Sequence, residues 1–237
     1  MKPILSALAL ALALALALGA CSPAPAPPTN APAGPAALAS YPSPTFLENL
    51  TAAADGALLV TNYTGKTIER LPAGGGAAET FARLDVHPVS ILPQGDGYLV
   101  AAHATPFTAG PSFLGTGVLL SLDARGAETA RTPVPDAGFL NGMVDAPDGA
   151  VLIADSAKAQ ILRFDPATRA VSVWLADAVL APNAEPFLPG VNGLKRTDGA
   201  LILSSSATRT LYQIALSPNG LPQGPMTPVV ANLPGAD

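Results

Sequence analysis

Short apolar segments separated by turn residues recur along the chain from residue 46 onward. Each unit has a short apolar segment, an Asp-Gly or similar turn, a strongly apolar segment, a polar tip and another alternating segment. No window of this region carries a convincing 3.6-residue periodicity, so the pattern predicts β-strands rather than amphipathic helices. The Asp-Gly pairs that mark the units begin at Asp55, Asp96, Asp148 and Asp198.

The spacing of these units indicates the architecture. The Asp-Gly pairs recur at roughly 40 to 50 residues, which is the repeat length of four-stranded propeller blades. Asp-Gly between alternating apolar runs is also a strong hairpin signal, because the turn it favours needs positive φ at both central residues. We therefore expect an all-β propeller with about four blades in this chain, in which the segment before each Asp-Gly is the innermost strand.

The first part of the chain has a different composition. One positive charge at Lys2 precedes an apolar run of Ala and Leu over residues 4–18. This run is shorter than the roughly 20 residues that span a bilayer, so it predicts a signal peptide over residues 1–20. Residues 22–45 are rich in Pro, Ala and Ser and predict an extended, semi-rigid linker. The propeller domain is then expected over residues 46–237.

Composition and charge narrow the classes of function. Lys plus Arg number 12 and Asp plus Glu number 17, which gives a net charge of −5. Such a chain lacks the basic footprint that nucleic-acid binding needs, so we expect no nucleic-acid partner. The single cysteine, Cys21, excludes an intramolecular disulfide and a multi-cysteine zinc site. Cys21 therefore needs another use.

The residues around Cys21 suggest that use. The apolar run ends in Leu18-Gly19-Ala20-Cys21, which resembles the lipobox of bacterial lipoproteins. The resemblance implies cleavage before Cys21, its lipidation, and an exported protein held to the membrane only through that anchor, on the periplasmic or cell-surface side. The alternative is an ordinary signal peptide cut near Ala20, which leaves Cys21 free.

Three short motifs carry a second resemblance. They are Leu47-Glu48-Asn49, Leu140-Asn141-Gly142 and the Pro-Gly-Val-Asn-Gly-Leu stretch over residues 189–194. Together they resemble the SMP-30/gluconolactonase/LRE family of six-bladed propellers, over about residues 46–237. Only four units precede residues 233–237, which look like the opening of a fifth innermost strand. We therefore expect the sequence to be truncated at its C-terminus.

Polar residues occupy matching positions at the starts of the expected innermost strands. They are Glu48, Asn141 and Asn192, and Asp237 falls where the next blade would present its own. Innermost strands converge on the channel, so these side chains are expected at one opening. Carboxylate and amide oxygens suit Ca²⁺ or another hard divalent cation. The lack of a His or Cys cluster argues against zinc and copper.

The family resemblance assigns roles to these residues. It implies that Glu48, Asn192 and Asp237 hold the metal, and that Asn141 contacts substrate or a metal-bound water. It also implies that Asp237 acts as general base while the metal polarises an ester carbonyl. The expected activity is hydrolysis of a sugar lactone or similar cyclic ester to a hydroxy acid. The small-molecule substrate would bind at the propeller mouth.

A further substrate contact and two loops complete the predicted site. His103 lies at the end of a second strand and is a candidate substrate contact. It precedes an insertion over residues 104–117, and a second long connection covers residues 178–190. Loops longer than about twelve residues are often functional, so both are candidates for specificity loops.

The same residues also allow purely structural interpretations. Asn before Gly is a common turn pair, which offers a purely structural role for Asn141 and Asn192. Glu48 also fits a solvated charge at a strand end, and Asp237 is terminal, where chains are often disordered. The alternative function is a non-catalytic extracytoplasmic propeller that binds a small molecule, a glycan or a protein partner, since fold alone does not define function.

Overall fold

The computed structural model describes residues 37–183 and 188–235 of the chain. The chain divides into two units, Met1–Ala37 and Leu38–Asp237, and the description below concerns the second. The expected signal peptide, Cys21 and Asp237 lie outside the described residues. Among those that are described, no helix has the length and apolar character needed to cross a membrane.

Sixteen strands build four antiparallel sheets in the described part of the chain. Each sheet contains four strands consecutive in sequence, so each is one blade, and the chain is an all-β propeller as the sequence predicts.

Blade 1 contains β1 (Leu47–Ala52), β2 (Leu58–Asn62), β3 (Thr67–Leu71) and β4 (Glu79–Arg83). Blade 2 contains β5 (His87–Gln94), β6 (Gly97–His103), β7 (Gly117–Leu122) and β8 (Glu128–Val134). Blade 3 contains β9 (Leu140–Asp145), β10 (Val151–Asp155), β11 (Gln160–Phe164) and β12 (Val171–Ala176). Blade 4 contains β13 (Val191–Thr197), β14 (Ala200–Ser205), β15 (Thr210–Leu216) and β16 (Pro222–Val230).

The first strands of consecutive blades are neighbours in space. Strand β1 contacts β5, β5 contacts β9, and β9 contacts β13. This arrangement brings the segments before the Asp-Gly turns together, as the sequence predicts. Residues at matching positions of these four strands therefore lie near one another.

Apolar layers between the blades form the core. Adjacent residues of a strand point to opposite faces, so Val100 packs toward blade 1 while Leu99 packs toward blade 3. In blade 3, Ile153 faces blade 2 and Leu152 faces blade 4. Both faces of these second strands are buried, which explains why they read as continuous apolar runs in the sequence.

The Asp-Gly turns differ in detail from the sequence prediction. In blades 1 and 3 only the glycine has a positive φ, +81° at Gly56 and +84° at Gly149. Asp55 and Asp148 instead accept a hydrogen bond from the backbone amide two residues later. In blade 2 the positive φ falls on Gly95, before the Asp-Gly pair. The expectation of positive φ at both residues of the Asp-Gly pair was wrong. In blades 1 and 3 the glycine amide donates to the backbone oxygen three residues earlier, Ala53 O and Ala146 O, so the pair ends the turn and only the glycine has positive φ.

Candidate functional site

A β-bulge interrupts the first strand of every blade at the same register position. Two residues of the first strand face a single residue of the second strand there. A bulge bends a strand and re-aims its side chains, and bulges are frequent beside active sites. The leading bulge residues of the four blades are Glu48, Pro88, Asn141 and Asn192.

Hydroxyl groups on the second strands hold two of these bulges. Thr61 Oγ1 accepts a hydrogen bond of 2.8 Å from Asn49 N, and Ser204 Oγ accepts one of 2.8 Å from Gly193 N. Thr61 also donates to Val89 O of blade 2 at 3.1 Å. A bulge takes a backbone amide out of the regular ladder, so these hydroxyls satisfy groups that would otherwise be buried without a partner.

The Asn-Gly pairs of blades 3 and 4 are not turns. They lie inside β9 and β13, and neither Gly142 nor Gly193 has a positive φ. A β-carbon at position 142 would lie 2.5 Å from Asn192 O. Gly142 is therefore needed for the close approach of the innermost strands of blades 3 and 4, and the turn-pair alternative for these asparagines is wrong.

The structure brings Glu48, Asn141 and Asn192 together. All three line a cavity of about 390 Å³, the mouth cavity, and also a cavity of about 680 Å³, the channel cavity. The three side chains therefore lie at the boundary between the two cavities. The mouth cavity is completed by Phe46, Phe107, Phe113, Phe139, Leu188, Pro189, Ser206 and Gly235. The channel cavity is lined mainly by β1, β9 and β13 and by residues between 38 and 41.

A chain of hydrogen bonds fixes the orientation of the Asn141 amide. Ser156 Oγ donates its single hydrogen to Val191 O at 2.5 Å. It can therefore only accept from Asn141, whose Nδ2 lies 3.2 Å away. Since the nitrogen is bonded to Ser156, Oδ1 is the atom of the Asn141 amide that takes no part in this chain of hydrogen bonds.

Asn192 repeats this arrangement in blade 4. Its Nδ2 donates to Ser206 Oγ at 3.1 Å, and Ser156 and Ser206 each follow the second strand of their blade directly. Both asparagines are 7% exposed. Two blades thus place at the same boundary an asparagine whose amide nitrogen donates to a serine hydroxyl.

Glu48 supplies the carboxylate of this group and is half-buried. Burial raises the pKa of the Tyr63 phenol, and the nearby Glu48 carboxylate raises that pKa further. Within residues 37–183 and 188–235 there is no cluster of three His, Cys, Asp or Glu side chains that could hold a metal. A cation here would depend on amide oxygens beside one carboxylate, a donor set that fits a hard cation with water completing its shell.

The insertion of blade 2 contributes the aromatic part of the mouth cavity. It forms a 3-10 helix over Phe107–Phe113, and both terminal phenylalanines line the cavity. Phe107 N donates a hydrogen bond of 2.8 Å to Tyr63 Oη, which ties the insertion to blade 1. The insertion therefore forms part of the wall of the mouth cavity, and its role in specificity stays a prediction.

His103 does not reach either cavity. Its side chain is fully buried, its Nε2 accepts a hydrogen bond of 3.0 Å from Leu140 N, and its ring stacks on Phe139 with centroids 4.6 Å apart. Burial lowers the pKa of His103 to about 4, so the ring is neutral near pH 7. The predicted contact between His103 and a substrate is not supported by this placement; His103 instead packs behind Phe139.

Several residues of the site were missed by the sequence reasoning. Asp155 is fully buried, and its carboxylate accepts hydrogen bonds from Gly138 N and Phe139 N. It therefore fixes the segment that carries Phe139 into the mouth cavity. The serine partners of the asparagines were also missed, although both blades place one at nearly the same distance, 15 residues after Asn141 and 14 after Asn192.

Comparison with known proteins supports the fold. No protein-family model and no curated protein matches the chain. Among solved structures, it is similar to a streptogramin B lyase (14% identity over 78% of this chain and 55% of that one, TM-score 0.55). It is also similar to a protein named as a candidate gluconolactonase (16%, 80% and 64%, TM-score 0.56). A virginiamycin B lyase from Staphylococcus aureus is a third (14%, 79% and 71%, TM-score 0.51).

These similarities concern the fold and cover only part of each of the first two solved proteins. The chain spans 55% and 64% of the lengths of the first two solved proteins. Identities of 14% and 16% describe a shared fold, since one fold hosts many unrelated functions. The four blades of this chain are thus those of a β-propeller similar in fold to the lyase and the candidate gluconolactonase.

Proposed function

We propose that this protein is a lactonase-like hydrolase of the SMP-30/gluconolactonase type, which uses Ca²⁺ or another divalent cation to open a cyclic ester. One observation carries the proposal. Glu48, Asn141 and Asn192, from three different blades, line the same two cavities. The hydrogen bond to Ser156 occupies the Asn141 amide nitrogen, so the amide oxygen is the atom that we propose to face the ligand.

In this proposal Glu48 and Asn192 hold the cation through their oxygens, and Asn141 orients the substrate or a bound water. When bound, the cation supplies a Lewis acid that polarises the ester carbonyl. Asp237, which lies outside the described residues, is proposed as a further ligand and as the general base. It takes a proton from the attacking water as the water oxygen bonds to the carbonyl carbon. The ring C–O bond then breaks, the ring oxygen receives the proton, and a hydroxy acid results.

We place this activity outside the cytoplasm. The lipobox-like sequence ending at Cys21 supports export and a lipid anchor. The chain's net charge of −5 gives it no general attraction to an anionic surface. Membrane attachment would then rest on the anchor alone.

A second candidate function is binding without catalysis. Of the described acidic residues, Glu48 alone lines the two cavities. Four phenylalanines also line the mouth cavity, and apolar walls with a few polar groups are typical of ligand-binding sites in general. This alternative predicts ligand binding that survives removal of the cation.

Activity assays of Glu48 variants test the two candidates. Proton release from a set of lactones is measured with added Ca²⁺, after chelation and after Ca²⁺ is restored. Glu48→Gln removes one charge at the boundary of the two cavities, and Glu79→Gln removes the same charge on the exposed strand β4. A hydrolase loses activity on chelation and regains it with Ca²⁺. It also loses about a hundredfold or more in Glu48→Gln, while Glu79→Gln retains wild-type activity.

Activity that is insensitive both to chelation and to Glu48→Gln contradicts the proposed cation-dependent hydrolase. The absence of hydrolysis for every lactone, with ligand binding retained, supports the binding function instead. Thermal unfolding of each variant separates loss of function from loss of fold.

A further inference from the structure

The mouth cavity is lined largely by aromatic and aliphatic side chains, with its polar groups clustered at the boundary with the channel cavity. We propose that the ligand of this site carries a planar apolar group, such as a phenyl ring, which binds against Phe46, Phe107, Phe113 and Phe139. For the proposed hydrolase, on which this inference rests in part, the substrate class is an aryl-substituted cyclic ester rather than a sugar lactone.

Two of these phenylalanines expose large apolar surfaces. Phe46 and Phe107 are 41% and 40% exposed, and their ring centroids are 5.6 Å apart. Both rings also contact Tyr63, at 5.9 and 5.2 Å between centroids. Covering exposed aromatic surface with an apolar ligand is favourable, and clustered exposed apolar residues commonly mark ligand-binding surfaces.

The other two phenylalanines form a rigid pair. Phe113 and Phe139 meet edge to face, with centroids 5.6 Å apart and an angle of 89° between planes. His103 stacks behind Phe139, and Asp155 accepts the hydrogen bond from Phe139 N at 2.9 Å. The aromatic surface is therefore held in place before a ligand arrives, which lowers the ordering cost of binding.

The polar groups of the cavity are too few to satisfy many hydroxyl groups. The amide nitrogens of Asn141 and Asn192 already donate to serines, which leaves the two amide oxygens and the Glu48 carboxylate as acceptors at the boundary with the channel cavity. A polyhydroxylated sugar lactone would bring several hydroxyl groups against phenylalanine side chains, where lost hydration is not replaced. An ester with one apolar substituent can direct its carbonyl to the cation proposed at the boundary with the channel cavity and its apolar substituent to the phenylalanines.

Matched lactones test this substrate class. The set contains δ-valerolactone, the same lactone with a phenyl group on a ring carbon remote from the ester oxygen, and glucono-δ-lactone. The phenyl compound is expected to show a kcat/KM at least about tenfold higher than the unsubstituted lactone, mainly through a lower KM. Phe107→Ala should reduce that ratio, Phe107→Tyr should restore most of it, and Leu221→Ala, which removes an exposed apolar side chain elsewhere, should leave it unchanged.

Hydrolysis-resistant lactams separate binding from catalysis. The phenyl-substituted and unsubstituted δ-valerolactams are titrated into the protein by calorimetry, with and without Ca²⁺. Phenyl-selective binding that weakens in Phe107→Ala supports the inference even when no lactone is hydrolysed, and the proposed hydrolase then fails alone. Calcium-dependent hydrolysis of glucono-δ-lactone without phenyl selectivity in either assay overturns the inference and leaves the hydrolase standing. The absence of both lactam binding and phenyl selectivity overturns the inference outright.

Discussion

Asn141 Nδ2 lies 3.2 Å from Ser156 Oγ, and that hydroxyl in turn donates to Val191 O at the start of β13. Ser156 is fully buried, and its own backbone amide donates to Phe139 O at 2.8 Å. One serine therefore connects the proposed substrate contact of blade 3, the innermost strand of blade 4 and the segment that carries an aromatic wall residue. The orientation of Asn141 and the contact between blades 3 and 4 depend on the same side chain.

Ser156→Ala should slow the proposed hydrolysis without removing a proposed cation ligand. The Asn141 amide loses the acceptor that fixes its rotation, and loss of such outer partners typically costs about tenfold or more in activity. The kcat/KM for lactone hydrolysis measures the change, and calcium titration by calorimetry checks that the cation still binds. Ser172→Ala, on the exposed side of β12, is the matched control. Equal kcat/KM in Ser156→Ala and wild type contradicts the proposed role of the Asn141 amide oxygen.

Gly142→Ala should destabilise the propeller. The new β-carbon would lie 2.5 Å from Asn192 O and 3.0 Å from Gly193 Cα, both backbone atoms. The innermost strands of blades 3 and 4 must then separate, at a cost of about 1–3 kcal/mol. Chemical denaturation measures the free energy of unfolding. Gly74→Ala, where a β-carbon meets no atom within 4 Å, should change it little, and an equal effect of both substitutions would disprove the close-packing explanation.

His103 should make the protein less stable as the pH falls from about 6.5 to about 4. Burial lowers the pKa of His103 from 6.5 to about 4 in the folded protein, so in this window only the unfolded chain binds the proton. The free energy of unfolding has its full value above pH 6.5. It falls through this window by up to about 3 kcal/mol because of His103.

The measurement is the free energy of unfolding of wild type and His103→Gln at several pH values. Glutamine keeps an amide oxygen that can accept a hydrogen bond from Leu140 N but has no proton to gain. The stability difference between the two proteins should shrink or reverse as the pH falls from 6.5 to 4. A difference that stays constant over this range contradicts the buried, neutral state of His103.

Much of the fold could be predicted because it depends on local patterns that repeat. The strongly apolar second strands, the Asp-Gly turns and their repeat length are enough to predict blades from the sequence. The same repetition aligned Glu48, Asn141 and Asn192, since residues at matching positions of equivalent strands share an environment. The turn geometry was predicted less well, because only the glycines Gly56 and Gly149 have positive φ there, while the preceding aspartates accept hydrogen bonds through their side chains.

Only part of the candidate site could be predicted from the sequence. The position of Glu48 and the two asparagines followed from the repeat, but the Asn-Gly pairs could be read as turns until the bulges in β9 and β13 were seen. His103 looked available at a strand end, yet Phe139 covers its ring. Burial is set by residues far away in the chain, and a single sequence carries no direct signal of it.

The sequence by itself determined which segments form strands and how the strands group into blades. It also determined which polar residues lie at the starts of the innermost strands. Hydrophobic alternation and turn chemistry act over a few residues, so a single sequence carries both. The tertiary structure alone decided the orientation of Asn141, the need for Gly142 and the aromatic wall contributed by Phe107–Phe113. These features arise from contacts between blades, where the hydrogen bonds and close approaches join residues 35 to 51 positions apart. Their geometry exists only once the blades have packed together.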